Sequence, residues 1–181
     1  MRVKQFFRAH TLSLFLVCLF LNACGFHLRG SQALPSNVNT VVISSALQYS
    51  PLSRSLTKRL PIYQLTGLTP AQAQERAFEQ GQLMGIALQP ENLERRLLSI
   101  FSSGQVAEYE LIYSVDYEVN FSGMAPIKHT MTVTREYQED PDRILAKSRE
   151  LELIMEEMRI ETADRMIRLL SSQYATAQIR E

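Results

Sequence analysis

The sequence predicts an α+β fold, with two helices packed on one face of a small, mostly antiparallel four-stranded sheet. Three patterns point to it. Tyr109, Leu111, Tyr113, Val115, Tyr117, Val119 and Phe121 take every second position, with Glu110, Ile112, Ser114, Asp116, Glu118 and Asn120 between them. A period of two makes a long strand with one apolar and one mostly wet face. Leu52, Leu56 and Leu60 recur every four residues, and Leu151, Met155, Met158, Thr162, Met166 and Leu169 follow helical spacing. Two amphipathic helices over the dry face of one sheet form the economical two-layer arrangement.

The elements follow in chain order. Arg2, Lys4 and Arg8 form a basic start, and Leu12 to Leu21 is apolar except for Ser13. That core has the length of a signal-peptide centre and is too short for a stable membrane span. Leu21-Asn22-Ala23-Cys24 then looks like a bacterial lipoprotein processing site, with a cysteine after a small residue. Residues 1–23 are expected to be a signal peptide, and Cys24 the acylated first residue of the mature chain. An ordinary secretory signal with a chance cysteine is the plain alternative. Lipoproteins resembling this one carry three acyl chains, and two or more anchor stably. Gly25 stands where an aspartate commonly holds such proteins at the inner membrane, so it favours the outer one.

Residues 24–36 read as a lipidated tether, 37–174 as a single domain and 175–181 as a flexible tail. Val41-Val42-Ile43 suits a buried strand. Ser50-Pro51 suits a helix N-cap followed by proline at the first helical position, and Pro61 stops that helix. Residues 61–82 are the least legible: Thr69-Pro70 with Gln72 suits a capping box for a short helix through Phe78, or a loop. Leu83–Leu88 and Leu93–Phe101 read as extended, separated at Pro90-Glu91-Asn92 by a turn or by a bulge within one strand. After the long alternating strand, Ile127, Met131 and Val133 alternate with Lys128, Thr130, Thr132 and Thr134, which suits antiparallel pairing. Asp140-Pro141-Asp142 opens a last helix from about Pro141 to about Ser171, with Glu150, Glu156, Glu157, Glu161 and Arg165 on its wet side.

Composition excludes several function classes. Without the signal, 158 residues remain, enough for one core. They carry 16 basic against 19 acidic residues, and nucleic-acid binding usually needs basic excess. Cys18 lies in the signal and Cys24 is the lipid site, so no cysteine remains for a disulfide and stability must come from packing. His10 is in the signal, His27 in the tether, and His129 falls in the apolar register of Ile127 and Met131, as a half-buried sheet residue would. The sequence lacks zinc-type ligand spacing, a Gly-x-Ser-x-Gly elbow, a phosphate-cradling glycine loop and His-Glu-x-x-His. No catalytic residue, metal or cofactor is expected.

Three features can bind something. Arg95, Arg96, Arg135 and Lys147 form a basic set, and arginine forks suit phosphates, although for any single one of them surface pairing with nearby acids is the simpler reading. Phe101-Ser102-Ser103-Gly104-Gln105 puts an apolar residue at a hairpin tip, or is a plain turn. The wet face of the long strands is the third, or is simply solvated.

Cys24-Gly25-Phe26-His27-Leu28-Arg29-Gly30 resembles the mature start of the LptE family of LPS-assembly lipoproteins. Leu98-Ser99-Ile100-Phe101 with Gly104-Gln105-Val106-Ala107-Glu108-Tyr109-Glu110-Leu111 is similar to that family's strand–turn–strand. Asp140-Pro141 followed by Leu145-Ala146-Lys147 is similar to its entry into the last helix. The resemblance implies two helices on a four-stranded sheet, no enzymatic activity, and a lipid-anchored place at the periplasmic side of the outer membrane. It implies a one-to-one partnership with the LptD β-barrel, in whose lumen the domain sits as a plug and whose assembly it assists. It also implies lipopolysaccharide binding during insertion into the outer leaflet, through basic residues near the turn and the last helix. Lys147 matches such a position, whereas Ser102-Ser103 stand where relatives can carry arginine, and Arg95 and Arg96 are the candidates to compensate. Two other classes remain open: a periplasm-facing lipid or lipoprotein carrier not tied to a barrel, which needs a deep apolar cavity, and a lipid-anchored hydrolase, which needs a nucleophile and base in contact.

Overall fold

Local chemistry sets the start of the fold in a computed structural model that describes residues 34, 36, 38–47, 49–76 and 82–179. Residues 1–23, expected as a signal peptide, and Cys24 and His27 lie outside the described residues. The β-branched run forms strand β1 (Thr40–Ser45). Helix α1 (Pro51–Arg59) begins where Ser50 Oγ accepts the Ser53 N–H at 3.2 Å and Pro51 takes a position that needs no donor. Leu52, Leu56 and Leu60 are fully buried. Past Arg59 the chain tightens into a 3-10 turn (Leu60–Tyr63) instead of stopping at Pro61, and Gln64 ends it at φ 61°.

The expected four-stranded, mostly antiparallel sheet with two helices is corrected: among the described residues the sheet has six strands, is mixed, and is accompanied by three α-helices. Strand β2 (Thr66–Leu68) and strand β3 (Leu83–Leu88) both run parallel to β1, on its two sides. The α1 crossover makes this possible, because a parallel neighbour cannot be reached by a tight turn. Between β2 and β3 stands the short helix α2 (Pro70–Glu75); its Thr69–Gln72 capping box is formed in both directions, and Phe78 lies outside the described residues.

Strand β4 (Asn92–Ile100) continues the lane of β3. Both pair antiparallel with strand β5 (Val106–Phe121), β3 with its end and β4 with its beginning. Leu88 faces Tyr117 and Asn92 faces Ser114, so three residues oppose two: a bulge at Gln89-Pro90-Glu91 within one long strand. Strand β6 (Ile127–Gln138) covers the opposite edge of β5, from Glu108↔Gln138 to Val119↔Ile127.

After a 3-10 turn (Pro141–Arg143), where Asp140 accepts the Asp142 N–H, helix α3 runs from Ile144 to Ile179. It passes the expected end at Ser171: residues 175–179 are helical, not tail, and Ala177 is buried. Leu169 is half out of the interface and Leu170 takes its place in the core. One core cluster lies between α1, the C-terminal half of α3 and β1, β3 and the end of β5. A second, of Leu111, Tyr113, Val133, Tyr137 and Met158, lies under the earlier part of α3. Burial of each large apolar side chain contributes about 1.5–3 kcal/mol. Arg59 and Asp164 join α1 to α3 through two bonds of 2.8 and 2.7 Å.

Candidate functional site: the hairpin end

The two ends of the sheet differ. Thr40 pairs with Leu83, and Met84 with Phe121, so the chain enters β1 beside the end of β5. The other end gathers the β4–β5 turn, the end of β6 and the start of α3, joined where the Glu139 N–H donates to the Ala107 carbonyl at 2.9 Å.

The turn is built by backbone bonds. Phe101 N–H donates to the Gln105 carbonyl at 2.7 Å and Gly104 N–H to the Phe101 carbonyl at 2.9 Å. Gly104 sits at φ 84°, which a side chain would strain. Ser102 and Ser103 are exposed at the tip, and Phe101 is 44% exposed. Beside it Leu97, Leu98 and Ile100 are exposed, and at the start of α3 Ile144 and Leu145 are 69% and 81% exposed. This end therefore carries apolar surface that the fold does not cover.

The bulge decides where the arginines point. Residues opposite one another across antiparallel strands share a face. Arg95 faces Leu111 and so lies on the helix side, while Arg96 faces Glu110 on the other side and pairs with its carboxylate. Arg135 flanks Leu111 from β6, also on the helix side, where it pairs with Glu161, which Arg165 contacts as well. Lys147 is the most enclosed of the set: its Nζ stands 4.8 Å from the Tyr137 ring centroid and 2.8 Å from Glu150 Oε2. The Tyr137 hydroxyl donates to the Lys147 carbonyl at 3.0 Å, fixing the first turns of α3 on β6. Burial pushes the Tyr137 phenol up, Glu139 and Glu150 add to this, and Lys147 and Arg95 oppose it. The helix side thus holds Arg95, Lys147 and Arg135, and Arg96 is separated from them.

Sequence reasoning missed Tyr137, the platform for Lys147, and the exposed apolar set. A signal for the latter existed: Leu97-Leu98, Ile100-Phe101 and Ile144-Leu145 are apolar neighbours that cannot all face one core from a strand or helix.

His129 is half-buried in the register of Tyr117 and stacks on it, with ring centroids 5.6 Å apart. It borders a depression of about 460 Å³ whose lining includes Gln89, Asp116, Tyr117, Glu118, Lys128 and Thr130. Among the described residues no group of three His, Cys, Asp or Glu is placed to hold a metal ion, and no helix is long and apolar enough to cross a membrane.

Known proteins resemble the domain as a whole. Residues 38–170 match the family model described as LptE, lipopolysaccharide-assembly. The LPS-assembly lipoprotein LptE of Pectobacterium atrosepticum is 28% identical over 173 residues, covering 96% of this chain and 90% of that protein. Its namesake from Photorhabdus laumondii is 31% identical over 163 residues, covering 90% and 85%. The crystal structure of rare lipoprotein B from Shewanella oneidensis superposes with a TM-score of 0.64 at 33% identity, covering 77% of this chain and 99% of that one. The match spans β1 to the second half of α3 and includes the whole hairpin end, and this chain belongs to the LptE lipopolysaccharide-assembly family, which is not enzymatic.

Proposed function

We propose that this protein is an outer-membrane lipoprotein, held by acyl chains on Cys24, that plugs an LptD-like β-barrel one-to-one and helps assemble it. In that position it binds lipopolysaccharide during insertion into the outer leaflet. The observation that carries this reading is the polarity of the domain: apolar side chains and the Lys147–Tyr137–Arg95 group collect at the end far from where the chain enters β1.

Dimensions support it. Strand β5 has 16 residues, so the two ends are separated by about 50 Å at about 3.3 Å per residue. A bilayer with its headgroups is about 40–45 Å thick. A domain tethered at the periplasmic leaflet thus reaches the level of the outer leaflet. The sheet face away from the helices is polar, with Ser114, Asp116, Glu118, Lys128, Thr130, Thr132 and Thr134, and a barrel lumen is polar and wet. Cations at the far end suit the phosphates of the glycolipid, and exposed leucines suit its hydrocarbon.

The test is affinity purification of a C-terminally tagged form from outer membranes solubilised in mild detergent. A single large β-barrel at equal stoichiometry is expected. Recovery of the lipoprotein alone, with bound acyl lipid, overturns the plug and favours the carrier.

A further inference from the structure

We infer that Tyr137 and Glu150 prepare Lys147 for a phosphate of the glycolipid: Tyr137 is a positioning residue that fixes the ammonium in place, and the Glu150 carboxylate is a stand-in anion that the phosphate displaces. This rests on the lipopolysaccharide-binding reading above and adds which residues ready the cation.

Tyr137 holds Lys147 at two points. Its hydroxyl donates to the Lys147 carbonyl at 3.0 Å, and its ring centroid lies 4.8 Å from Nζ. The tyrosine is itself held: it is buried, pairs with Tyr109 of β5 and belongs to the second core cluster. The face of an aromatic ring attracts an ammonium, and more strongly where water is kept away. The Lys147 side chain is only 14% exposed. Ordering a lysine stem is among the larger side-chain entropy costs. Here the fold has ordered it before any ligand arrives, which favours binding.

Helix stability does not account for this lysine. It lies near the start of α3, the positive end of the helix dipole, where a cation is disfavoured. It also precedes its acid in the chain, the less favourable order for a helical ion pair.

Glu150 has the properties of a displaceable partner. Its Oε2 stands 2.8 Å from Lys147 Nζ, yet the side chain is 48% exposed. Exposed pairs of this kind are weak, whereas a phosphate brings more charge and several acceptor oxygens. Glu150 and Lys147 both act on the Tyr137 phenol, in opposite directions, so ring, ammonium and carboxylate form one electrostatic group. An ammonium has three donors. Among the described residues one goes to Glu150, and the ring takes up another side. A phosphate therefore exchanges with the carboxylate while the lysine stays on its ring.

The test is calorimetric titration of the purified full chain with lipopolysaccharide at low and at physiological salt, with melting temperatures measured alongside. Glu150→Gln, at an exposed site, is expected to bind about two- to five-fold more tightly at low salt, the release of a surface ion pair. Tyr137→Leu is expected to bind about three- to ten-fold more weakly, and Tyr137→Phe, which keeps the ring, to recover most of that loss. Both effects vanish in a Lys147→Ala background, a non-additivity that a merely structural tyrosine or a plain surface acid does not produce. The Glu150 pair of variants decides alone if Tyr137→Leu melts below the assay temperature. Binding by Glu150→Gln no tighter than wild type, or a Tyr137→Leu loss that persists beside Lys147→Ala, overturns the inference and leaves the binding reading standing. Absence of binding by the wild type overturns that reading itself.

Discussion

Replacing Glu91 with alanine tests whether the bulge is the joint of the fold. Its side chain is 13% exposed. Oε1 accepts the Leu52 N–H at 2.9 Å and the Ser50 hydroxyl at 3.1 Å, and Oε2 accepts Arg159 Nε at 3.0 Å. One carboxylate thus ties β3 and β4 to the start of α1 and the middle of α3. Removing it takes away the 3.0 Å partner of Arg159 and leaves the more distant Glu156, at 3.8 Å. Breaking a fully buried ion pair costs about 3–5 kcal/mol; with both partners reached by some solvent, about 2–3 kcal/mol is expected. For a domain of this size that lowers Tm by about 4–12 °C. Burial pushes the Glu91 carboxyl up, but the Leu52 N–H, Arg159 and the Tyr113 hydroxyl outweigh it, and its pKa lies below the ordinary 4.5. A carboxylate depressed in the folded state stabilises the fold above the unfolded pKa, and this stability is lost as pH falls through the folded pKa. The Tm gap between wild type and Glu91→Gln, measured by circular dichroism, therefore holds from pH 7 to about pH 5 and shrinks below about pH 4.5. A Glu91→Ala protein melting within about 2 °C of wild type, or a gap indifferent to pH, would falsify the joint.

Other consequences follow from named residues. Lys147→Ala removes the cation from the Tyr137 ring and weakens lipopolysaccharide binding several-fold, with a salt dependence smaller than wild type, measurable by titration calorimetry at two ionic strengths. Leu56→Ala empties a fully buried site between α1 and the sheet and lowers unfolding free energy by about 3 kcal/mol in urea. Cys24→Ser abolishes acylation, so the intact mass lacks the acyl chains and the protein leaves the membrane fraction.

The long alternation of β5 and the leucine stripe of α1 were legible because each element buries one continuous face with its own period. Strand β2 was not: Thr66-Gly67-Leu68 is too short to show a period and is held by backbone pairing to β1. The bulge stayed open in the sequence because Pro90 and Glu91 suit a turn equally well. That ambiguity hid the site, since the buried residues of β3 are Met84, Ile86 and Leu88 whereas the helix-side residues of β4 are Leu93, Arg95 and Leu97. The extra residue switches the parity, sending Arg95 and Arg96 to faces no alternation rule could assign. Along α3, Leu169 and Leu170 both lie within reach of the stripe, and packing against the first core cluster selects Leu170. Lys147 was legible as a member of the basic set and as a match to the family's pattern; its seat on Tyr137 depends on how β6 and α3 meet.

The most direct test of the domain's polarity is site-specific photo-crosslinking in intact cells, with the reactive residue placed at Leu145 at the hairpin end or at Thr66 beside the entry to β1. Lipopolysaccharide adducts at Leu145 and none at Thr66 are predicted. Adducts at Thr66 with none at Leu145 would contradict the account, because the glycolipid would then meet the end of the domain where the chain enters β1.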